Sequence, residues 1–482
     1  MTSTTTVTTG IPPVGSLAVS PEISNPPKLD ERFAALKRDI IKPEHEEAVA
    51  ASYKRLKVAL KMEMERIAQA QQAAIPEVQW EDVKKNGGII PEAVAKRSRE
   101  AGCVLFRNVV PEEQALKWKA ELRDYTRRHP KVGGKPLSNP VFWLLYWTRP
   151  QVQARTHPEV LAAMESVMKL WHIEDETLPI DMASQVHYAD RFRIREAGDN
   201  EYSLRAHLDS SSIERWEDPK YRSNYQAIFE GRWEEWDGWV MDNRPDAKVD
   251  LYRQQGGCSS FRAMQGWLSL CNSGPGEGTL RVLPNLKLAT AYIMLRPFFV
   301  DRDDDEIDFS QPTFPGATPG KGQFIPTPKY HPHLEQQKSM VSVQKVHPGD
   351  FMYWHCDLAH EVENMHNGTE DSSVMYIAST PLCAYNLENM LRMRANFRDV
   401  EPPADFYLDL GGPYEMEKEH DDHGAREENI MTTAGLQGIG MRNFNVEEPG
   451  LTAGQKEIRA LANEAMKRPD ELYDNRTWLT KN

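Results

Sequence analysis

Residues 348–360 are Pro-Gly-Asp-Phe-Met-Tyr-Trp-His-Cys-Asp-Leu-Ala-His, a turn followed at once by a short apolar and aromatic run. Such a run after a Gly-Asp turn is typical of a buried β-strand. Further short apolar runs alternate with Gly and Pro turns, and they lie at 103–106, 185–195, 267–271, 280–283, 341–346 and 374–377. A series of short strands of this kind predicts a β-sandwich or a closed barrel.

Helical patterns flank this strand region on both sides. Apolar residues three and four positions apart across 29–73 predict two helices, divided at Pro43, because proline disrupts a helix interior. The same spacing predicts a helix over 112–128, and Thr452 is a typical residue to begin another over 453–467. We expect these helices to cover the β core.

Changes in composition along the chain predict four regions. The first 28 residues are rich in Thr, Ser and Pro, and they carry too little apolar surface to offset the entropy lost on ordering. The predicted regions are a disordered tail (1–28), an N-terminal helical segment packed on the core (29–99), a β core (100–400) with insertions at 213–255 and 300–338, and a C-terminal extension (401–482).

The overall composition argues against several classes of protein. Asp and Glu outnumber Lys and Arg by 72 to 58, a formal net charge of −14, so a nucleic-acid partner is not expected. No apolar stretch is long enough to suggest a membrane span. Five cysteines are scattered without a CxxC pair, and the N-terminal residues resemble neither a secretory signal nor a mitochondrial leader. These features predict a cytoplasmic protein without a disulfide framework.

The sequence Ala-His-Leu-Asp at 206–209 carries the strongest chemical signal. Residues two apart on a strand point to the same face, so His207 and Asp209 can both bind one metal ion. Two histidines and one carboxylate form the facial triad of non-haem Fe(II) sites, which leaves coordination positions open. His360, at the end of the segment 348–360, is the natural third ligand, and a hydrogen-bonded core histidine is the alternative for it.

The pattern His-x-Asp occurs three times, beginning at His207, His355 and His420, so the pattern alone does not identify the ligands. The triplet at His420 lies in a charged run without an apolar strand, which predicts a solvated surface segment. His355 ends a predicted strand and is expected to be structural or to support the ligands. An alternative pairs the triplet at His355 with His420 or His423 as the distal ligand.

Three segments, in this order, resemble the Fe(II)/2-oxoglutarate-dependent dioxygenases and in particular their phytanoyl-CoA dioxygenase-like branch. They are His-Leu-Asp at 207–209, Gly-Trp-Leu-Ser-Leu-Cys-Asn-Ser-Gly-Pro-Gly-Glu-Gly-Thr-Leu-Arg-Val-Leu-Pro-Asn at 266–285, and the segment 348–360. The second is similar to the family's strand–loop–strand unit, and the third to its turn, strand and distal histidine. The resemblance covers about residues 100–385 and is greatest to a bacterial and fungal group typified by YbiU.

This resemblance implies a fold and a chemistry. The fold would be α+β with a mainly β core, a double-stranded β-helix or cupin-like jelly roll with N-terminal and flanking helices. His207, Asp209 and His360 would hold Fe(II), and 2-oxoglutarate would chelate the iron through its 2-oxo acid end. O2 would take the last position, convert 2-oxoglutarate to succinate and CO2, and hydroxylate or otherwise oxidise a C–H bond of a small-molecule substrate.

The chain departs from the family pattern in two respects. The family usually has an Arg shortly after the distal histidine, which pairs with the far carboxylate of 2-oxoglutarate, but residues 361–385 contain neither Arg nor Lys. Arg281 is the predicted substitute, with an outward, solvated side chain as its alternative. Weaker candidates follow: Arg193, Arg205 and Arg262. The interval from Asp209 to His360 is also long, and the two insertions can absorb it as a lid or as surface decoration.

Two other functions stay open from the sequence. The missing Arg favours an iron-dependent cupin-type oxygenase that does not use 2-oxoglutarate, whereas the order of the three segments disfavours it. A catalytically inactive barrel that acts as a binding module is the alternative from another class, and the intact ligand pattern argues against it. The substrate and the oligomeric state cannot be inferred from the sequence.

Overall fold

Residues 28–136, 139–252, 258–299, 306–406 and 414–473 are described by the structure, a computed structural model of the chain. The disordered tail predicted at 1–28 lies outside the described residues except for Lys28. The strands are β1 (Glu77–Gln79), β2 (Cys103–Arg107), β3 (Gly134–Lys135), β4 (Phe142–Trp143), β5 (Ile180–Gln185), β6 (Phe192–Arg195), β7 (Leu204–His207), β8 (Met264–Ser269), β9 (Leu280–Val282), β10 (Val341–Ser342), β11 (Phe351–His355), β12 (His360–Val362), β13 (Ser372–Tyr376) and β14 (Pro381–Cys383).

Most of the strands belong to two sheets. Eight strands form one sheet in the order β1-β2-β11-β8-β13-β6-β4-β3, four form another in the order β10-β9-β12-β7, and β14 pairs with β5. Side chains of the two larger sheets meet, since Val362 of β12 packs with Phe142 of β4 and Tyr376 of β13. The four-stranded sheet therefore covers part of one face of the eight-stranded sheet.

The architecture is a mixed α/β fold with two facing sheets. The expected sandwich layers are present, but no closed barrel forms among the described strands, because both sheets are open. The larger sheet ends in β1 and β3, and the smaller one in β10 and β7. The outer face of the larger sheet is also buried, as the alternating residues Phe351, Tyr353 and His355 of β11 show. Burial on both faces explains why β11 is almost uniformly apolar in sequence.

The helices confirm several sequence predictions. The α-helices are α1 (Arg32–Ile40), α2 (Glu46–Ala70), α3 (Trp80–Lys85), α4 (Glu92–Ala101), α5 (Glu112–Arg128), α6 (Arg149–Thr156), α7 (Pro158–Met168), α8 (Glu214–Glu217), α9 (Pro219–Ser223), α10 (Gln226–Phe229), α11 (Leu286–Leu295), α12 (Gln336–Ser339), α13 (Ala384–Asp399), α14 (Thr433–Gly438) and α15 (Ala453–Ala465). Pro43 separates α1 from α2, as predicted. The Thr452 hydroxyl accepts a hydrogen bond from Gln455 N at 3.2 Å and begins α15.

Both predicted insertions contribute buried side chains. The first contains α8, α9 and α10 and buries Trp216, Trp233, Trp236 and Trp239. The second insertion, described from residue 306, pairs with the residue after β7, through a bridge between Leu208 and Phe324. Neither segment is mere surface decoration, because large aromatic groups from both are removed from water.

None of the described helices has the length and apolar character needed to cross a lipid bilayer.

Candidate metal centre

His207, Asp209 and His360 come together between the two sheets. His207 ends β7, His360 begins β12, and the two are direct cross-strand partners, so their side chains lie on the same face. Their imidazole centroids are 4.2 Å apart. Asp209 Oδ1 lies 3.4 Å from His207 Nε2, and Asp209 Oδ2 lies 3.5 Å from His360 Nε2. The structure thus gathers the three predicted ligands around one point.

Backbone hydrogen bonds determine which imidazole nitrogen faces that point. His207 Nδ1 lies 2.6 Å from the carbonyl oxygen of Arg205, and His360 Nδ1 lies 3.0 Å from that of Leu358. A carbonyl oxygen only accepts, so each Nδ1 carries the proton and each Nε2 keeps its lone pair. Metal-binding histidines are commonly held in this way. Two lone pairs and a carboxylate converge, and the ligand atoms of the three residues all lie within 4.8 Å of one another, close enough to hold one metal ion. This set of ligands suits zinc as well as iron.

Burial and neighbouring charge set the protonation of the ligands. Burial lowers the pKa of His207 to about 4, so this imidazole is neutral at neutral pH and can bind a metal. Burial alone would raise the pKa of Asp209, but the two imidazoles and the Arg262 guanidinium outweigh it and hold that pKa well below its ordinary value. The Asp209 carboxylate is therefore ionised when the imidazole is neutral.

The second insertion holds Asp209 in place. Leu208 and Phe324 exchange backbone hydrogen bonds of 2.9 and 3.0 Å. The neighbouring Gln323 then donates from Nε2 to Asp209 Oδ1 at 2.8 Å. Gln323 fixes the orientation of the carboxylate and leaves the second oxygen directed at His360. Sequence reasoning missed this residue because its segment has neither strand nor helix periodicity.

The eight-stranded sheet supplies the opposite wall of the site. The Trp354 ring lies 5.1 Å from the His360 ring, and Gln265 is the cross-strand partner of Trp354 on β8. Both residues are buried, and neither Trp354 Nε1 nor Gln265 Nε2 has a hydrogen-bond partner among the described residues. Buried donors without partners are rare in proteins. The two donors lie on neighbouring strands, on the sheet face whose Trp354 ring contacts His360, and they are free to bind a polar ligand.

Arg281 is not brought to the three ligands. Its neighbour Val282 is the cross-strand partner of His360, whereas Arg281 stands opposite Glu361. Arg281 donates to the Glu361 carboxylate and to the carbonyl oxygen of Met340. Alternate residues of a strand point to opposite faces, so Arg281 lies on the far side of the four-stranded sheet.

Arg193, one of the weaker candidates, does face the gap between the sheets. Aligned pairs across β6, β13, β8 and β11 put Arg193 on the same sheet face as Trp354. Its Nη2 donates to Gly278 O and to the Ser372 hydroxyl, both at 3.2 Å. Arg193 is 3% exposed, its Nε has no partner, and no carboxylate among the described residues pairs with it. Within the described parts of the chain, Arg193 is therefore a buried cation without a counter-charge.

Arg262 also lies beside the triad. It precedes β8, donates from Nη2 to the Ser210 hydroxyl at 3.1 Å, and lies 3.9 Å from Asp209 Oδ2. Ser210 has a φ of +74°, a left-handed conformation that costs energy for a residue with a side chain and clusters at functional sites. Arg205, the remaining weaker candidate, supplies its carbonyl oxygen to His207.

The triplet that begins at His355 has a structural role. Both oxygens of Asp357 are taken by buried guanidiniums, Oδ1 by Arg215 and Oδ2 by Arg244 at 2.7 Å. His355 Nε2 donates to Gly238 O at 3.0 Å, and His355 Nδ1 accepts from Asp357 N at 3.0 Å. Both imidazole nitrogens of His355 and both carboxylate oxygens of Asp357 are thus engaged in hydrogen bonds within the protein.

The triplet that begins at His420 differs from the solvated run that was predicted. Asp422 is exposed, but His420 is buried, stacks on His129 at 3.7 Å between ring centroids, and hydrogen-bonds Tyr125 through Nδ1 at 2.7 Å. Glu417 in the same run is also buried and accepts from the backbone N–H of Tyr146 at 2.7 Å. The prediction was wrong for these two side chains because helix α5 and residues 146–147 cover them.

Comparisons with known proteins place the chain in a family. A family model described as Gig2-like matches residues 27–441. The uncharacterized protein YbiU of Escherichia coli (strain K12) is 30% identical over 346 residues, which are 69% of this chain and 79% of YbiU. The predicted similarity to the YbiU-like group is thereby confirmed.

Solved structures agree with this placement. The crystal structure of GlcNAc Inducible Gene 2, GIG2 (DUF1479), from Candida albicans is 38% identical, with a TM-score of 0.84, and covers 94% of this chain and 100% of that one. A hypothetical protein from Escherichia coli is 26% identical, with a TM-score of 0.71, and covers 85% of this chain and 96% of that one. The chain belongs to the Gig2-like family.

Proposed function

We propose that the chain is a non-haem Fe(II) oxygenase that uses 2-oxoglutarate and O2 to hydroxylate, or otherwise oxidise, a C–H bond of a small molecule. One observation carries the proposal: two imidazole nitrogens with free lone pairs and one ionised carboxylate converge between the sheets, at His207, His360 and Asp209. Three ligands on one side of a metal leave positions for a co-substrate and oxygen. The order of the three sequence segments that resemble the dioxygenases favours iron over zinc.

Arg193 is our candidate for the residue that binds the far carboxylate of 2-oxoglutarate. In the family an Arg stands shortly after the distal histidine; here Ser372 begins β13, the strand that follows His360. The guanidinium of Arg193, from the neighbouring strand β6, hydrogen-bonds the Ser372 hydroxyl and so reaches the strand that follows the distal histidine from the side. A buried guanidinium without a carboxylate partner favours binding of an anion.

The residues of the chain have separate roles in this proposal. His207, Asp209 and His360 would hold Fe(II), which when bound supplies the redox chemistry that activates O2. The Arg205 and Leu358 carbonyl oxygens keep each Nδ1 protonated, so that both Nε2 atoms stay available for the metal.

The surroundings of the ligands serve the same function. Gln323 orients the Asp209 carboxylate through its 2.8 Å hydrogen bond. Trp354 covers His360 and keeps water from that side of the metal, which protects a reactive site from side reactions.

The same proposal extends to the fold and to the cellular setting. We assign the two facing sheets to the two layers of a double-stranded β-helix, or jelly roll, with the metal between them. The net charge of −14 disfavours nucleic acid, so the partner we propose is a small-molecule substrate, with no membrane partner and a cytoplasmic location.

Anaerobic titration tests the metal and the co-substrate together. We expect Fe(II) followed by 2-oxoglutarate to give a weak visible charge-transfer band in the wild type and in the control His347→Ala, which changes an exposed histidine. His207→Ala should lose the band while its circular dichroism stays that of the wild type. Arg193→Met should bind Fe(II) normally but require at least tenfold more 2-oxoglutarate, about 1.4 kcal/mol of lost binding energy.

The other outcomes separate the competing functions. Iron binding without the band in wild type would contradict the use of 2-oxoglutarate and support a cupin-type iron oxygenase. If no stoichiometric Fe(II) binds, the proposed function is wrong and the fold serves as a binding module. If Arg193→Met titrates like wild type, the far carboxylate is bound by another residue.

A further inference from the structure

A second group of metal-binding side chains lies outside the candidate metal centre, where helix α5 meets the C-terminal extension. His129 follows the last residue of α5, and Glu415 and His420 belong to the extension. A ring nitrogen of each histidine and a carboxylate oxygen of Glu415 all lie within 4.8 Å of one another. The group has the same composition as the proposed iron site, two imidazoles and one carboxylate.

The backbone holds Glu415 against the chain that leaves α5. Glu415 N donates to Lys131 O at 3.1 Å, and Glu415 pairs with Val132 in an isolated parallel bridge. The Lys131 ammonium binds Glu415 Oε1, also at 3.1 Å. The second oxygen, Oε2, lies 3.8 Å from His420 Nε2. The carboxylate is thus fixed through one oxygen and presents the other to an imidazole.

His420 offers a nitrogen that is both buried and unused. Only 2% of its side chain is exposed, and Nε2 has no hydrogen-bond partner among the described residues. The Tyr125 hydroxyl bonds the other nitrogen, Nδ1, at 2.7 Å. This hydroxyl can accept, which places the proton on Nδ1 and leaves a lone pair on Nε2. A buried polar atom without a partner is costly, and a metal ion would satisfy it.

The separation of Glu415 Oε2 and His420 Nε2 suits two ligands of one ion. Atoms that bind zinc at about 2.1 Å stand about 3.4 Å apart in a tetrahedral site. The 3.8 Å observed here is too long for a hydrogen bond but close to that value. The corresponding separations at the candidate metal centre are 3.4 and 3.5 Å. A small shift therefore lets both atoms bind the same ion.

His129 completes the group after its ring turns. The ring stacks on that of His420, with 3.7 Å between centroids and 16° between planes. The lone pair of an imidazole lies in the plane of the ring, so one ring must leave the stack for both to bind one ion. His129 is the ring that can turn, because 18% of its side chain is exposed. Its Nε2 hydrogen-bonds the exposed Asp422 at 2.8 Å, and this carboxylate can follow the movement.

We propose that His129, Glu415 and His420 bind a zinc ion that ties α5 to the C-terminal extension. Imidazole ligands suit zinc, whereas magnesium and calcium prefer sites built of oxygen atoms. Tyr125 and His420 are 295 positions apart in sequence, so an ion at this place closes a very long loop and stabilises the folded chain. The inference goes beyond the proposed function, because the two sites share no residue.

Metal content and stability test the site in a chain without the first centre. The background is the double variant His207→Ala/His360→Ala, which removes two of the three proposed iron ligands. Full-length protein is loaded with Zn(II) and dialysed, its zinc is counted by mass spectrometry, and thermal unfolding midpoints are measured with and without Zn(II). In this background Glu415→Gln and His129→Ala alter the site, and Glu419→Gln is the matched control at an exposed carboxylate of the same run. These changes leave the buried His420 intact, which protects the fold.

We expect one Zn(II) per chain in the double variant and in its Glu419→Gln derivative, with a higher unfolding midpoint when Zn(II) is added. Glu415→Gln and His129→Ala should each weaken Zn(II) binding at least tenfold and lose the rise in midpoint, with circular dichroism like that of the double variant. The inference is overturned if the double variant binds no zinc, if either site variant keeps its affinity, or if Glu419→Gln weakens binding as much as Glu415→Gln.

The wild type separates the two metal sites. Two zinc ions per chain in the wild type and one in the double variant would support both sites. One ion in the wild type and none in the double variant would leave the first centre standing and overturn the second site. One ion in both proteins would show that zinc occupies the second site and that His207 and His360 hold none.

Discussion

Two His-x-Asp triplets in this chain have opposite surroundings. At His207 and Asp209, the imidazole Nε2 and the carboxylate face each other at 3.4 Å, with Gln323 as a neutral hydrogen-bond donor to the carboxylate. At His355 and Asp357, both imidazole nitrogens are hydrogen-bonded, and two buried guanidiniums neutralise the carboxylate. The same three-letter pattern therefore yields a candidate metal site only where the protein leaves lone pairs unused.

The largest effect should come from removing the carboxylate charge at each triplet in metal-free protein. Asp357→Asn leaves Arg215 and Arg244 buried without a counter-charge, and we expect a loss of about 3–5 kcal/mol of unfolding free energy. Asp209→Asn leaves the neighbouring imidazoles neutral but removes a carboxylate that lies 3.9 Å from the Arg262 guanidinium, so it should cost less, about 1–2 kcal/mol. Urea unfolding followed by circular dichroism measures both. Equal losses in the two variants would contradict the distinction between a structural and a metal-binding triplet.

A smaller effect should come from Gln323, whose side chain donates to Asp209. Gln323→Ala removes the hydrogen bond that orients the carboxylate, and we expect Fe(II) to bind about 10–100-fold more weakly, with little change in metal-free stability. Anaerobic Fe(II) titration measures the affinity. The matched control is Gln311→Ala, an exposed glutamine of the same insertion, which should bind Fe(II) as the wild type does. Unchanged affinity in Gln323→Ala would show that Asp209 needs no such support.

Local patterns explain which parts of the fold could be predicted. Helices α2, α5 and α15 can be predicted from the spacing of their apolar residues. Pro43 also marks the start of α2 and Thr452 that of α15, and all these signals act within one or two helical turns. The strand β11 follows from its turn and its apolar run. The pairing of β12 between β9 and β7 joins residues far apart in sequence, and no local pattern encodes it.

Because local patterns do not encode long-range pairing, only part of the candidate site could be predicted from the sequence. His207 and Asp209 are found by their spacing, and His360 by its place at the end of the strand segment 348–360. Arg281 lies on a strand, as predicted, but the direction of its side chain depends on whether Arg281 or Val282 stands opposite His360. Only the register of β9 against β12 decides that. Gln323 and Arg193 reach the site from other segments, so their roles depend entirely on tertiary packing.

The smallest expected effect concerns the triplet that begins at His420. It tests whether this buried histidine contributes to the loss of stability at acidic pH. Burial and the neighbouring His129 lower the pKa of His420 below its ordinary value, so the folded protein favours the neutral imidazole. As pH falls through the ordinary histidine pKa of about 6.5, the unfolded chain takes up this proton first, and stability is lost. His420→Gln should therefore lose less stability than wild type between pH 7.5 and 5.5, whereas the exposed control His347→Gln should match wild type. Thermal unfolding midpoints at the two pH values measure the difference. If His420→Gln is as acid-sensitive as wild type, this buried histidine does not contribute to the acid sensitivity, and the stacked His129–His420 pair is a packing contact only.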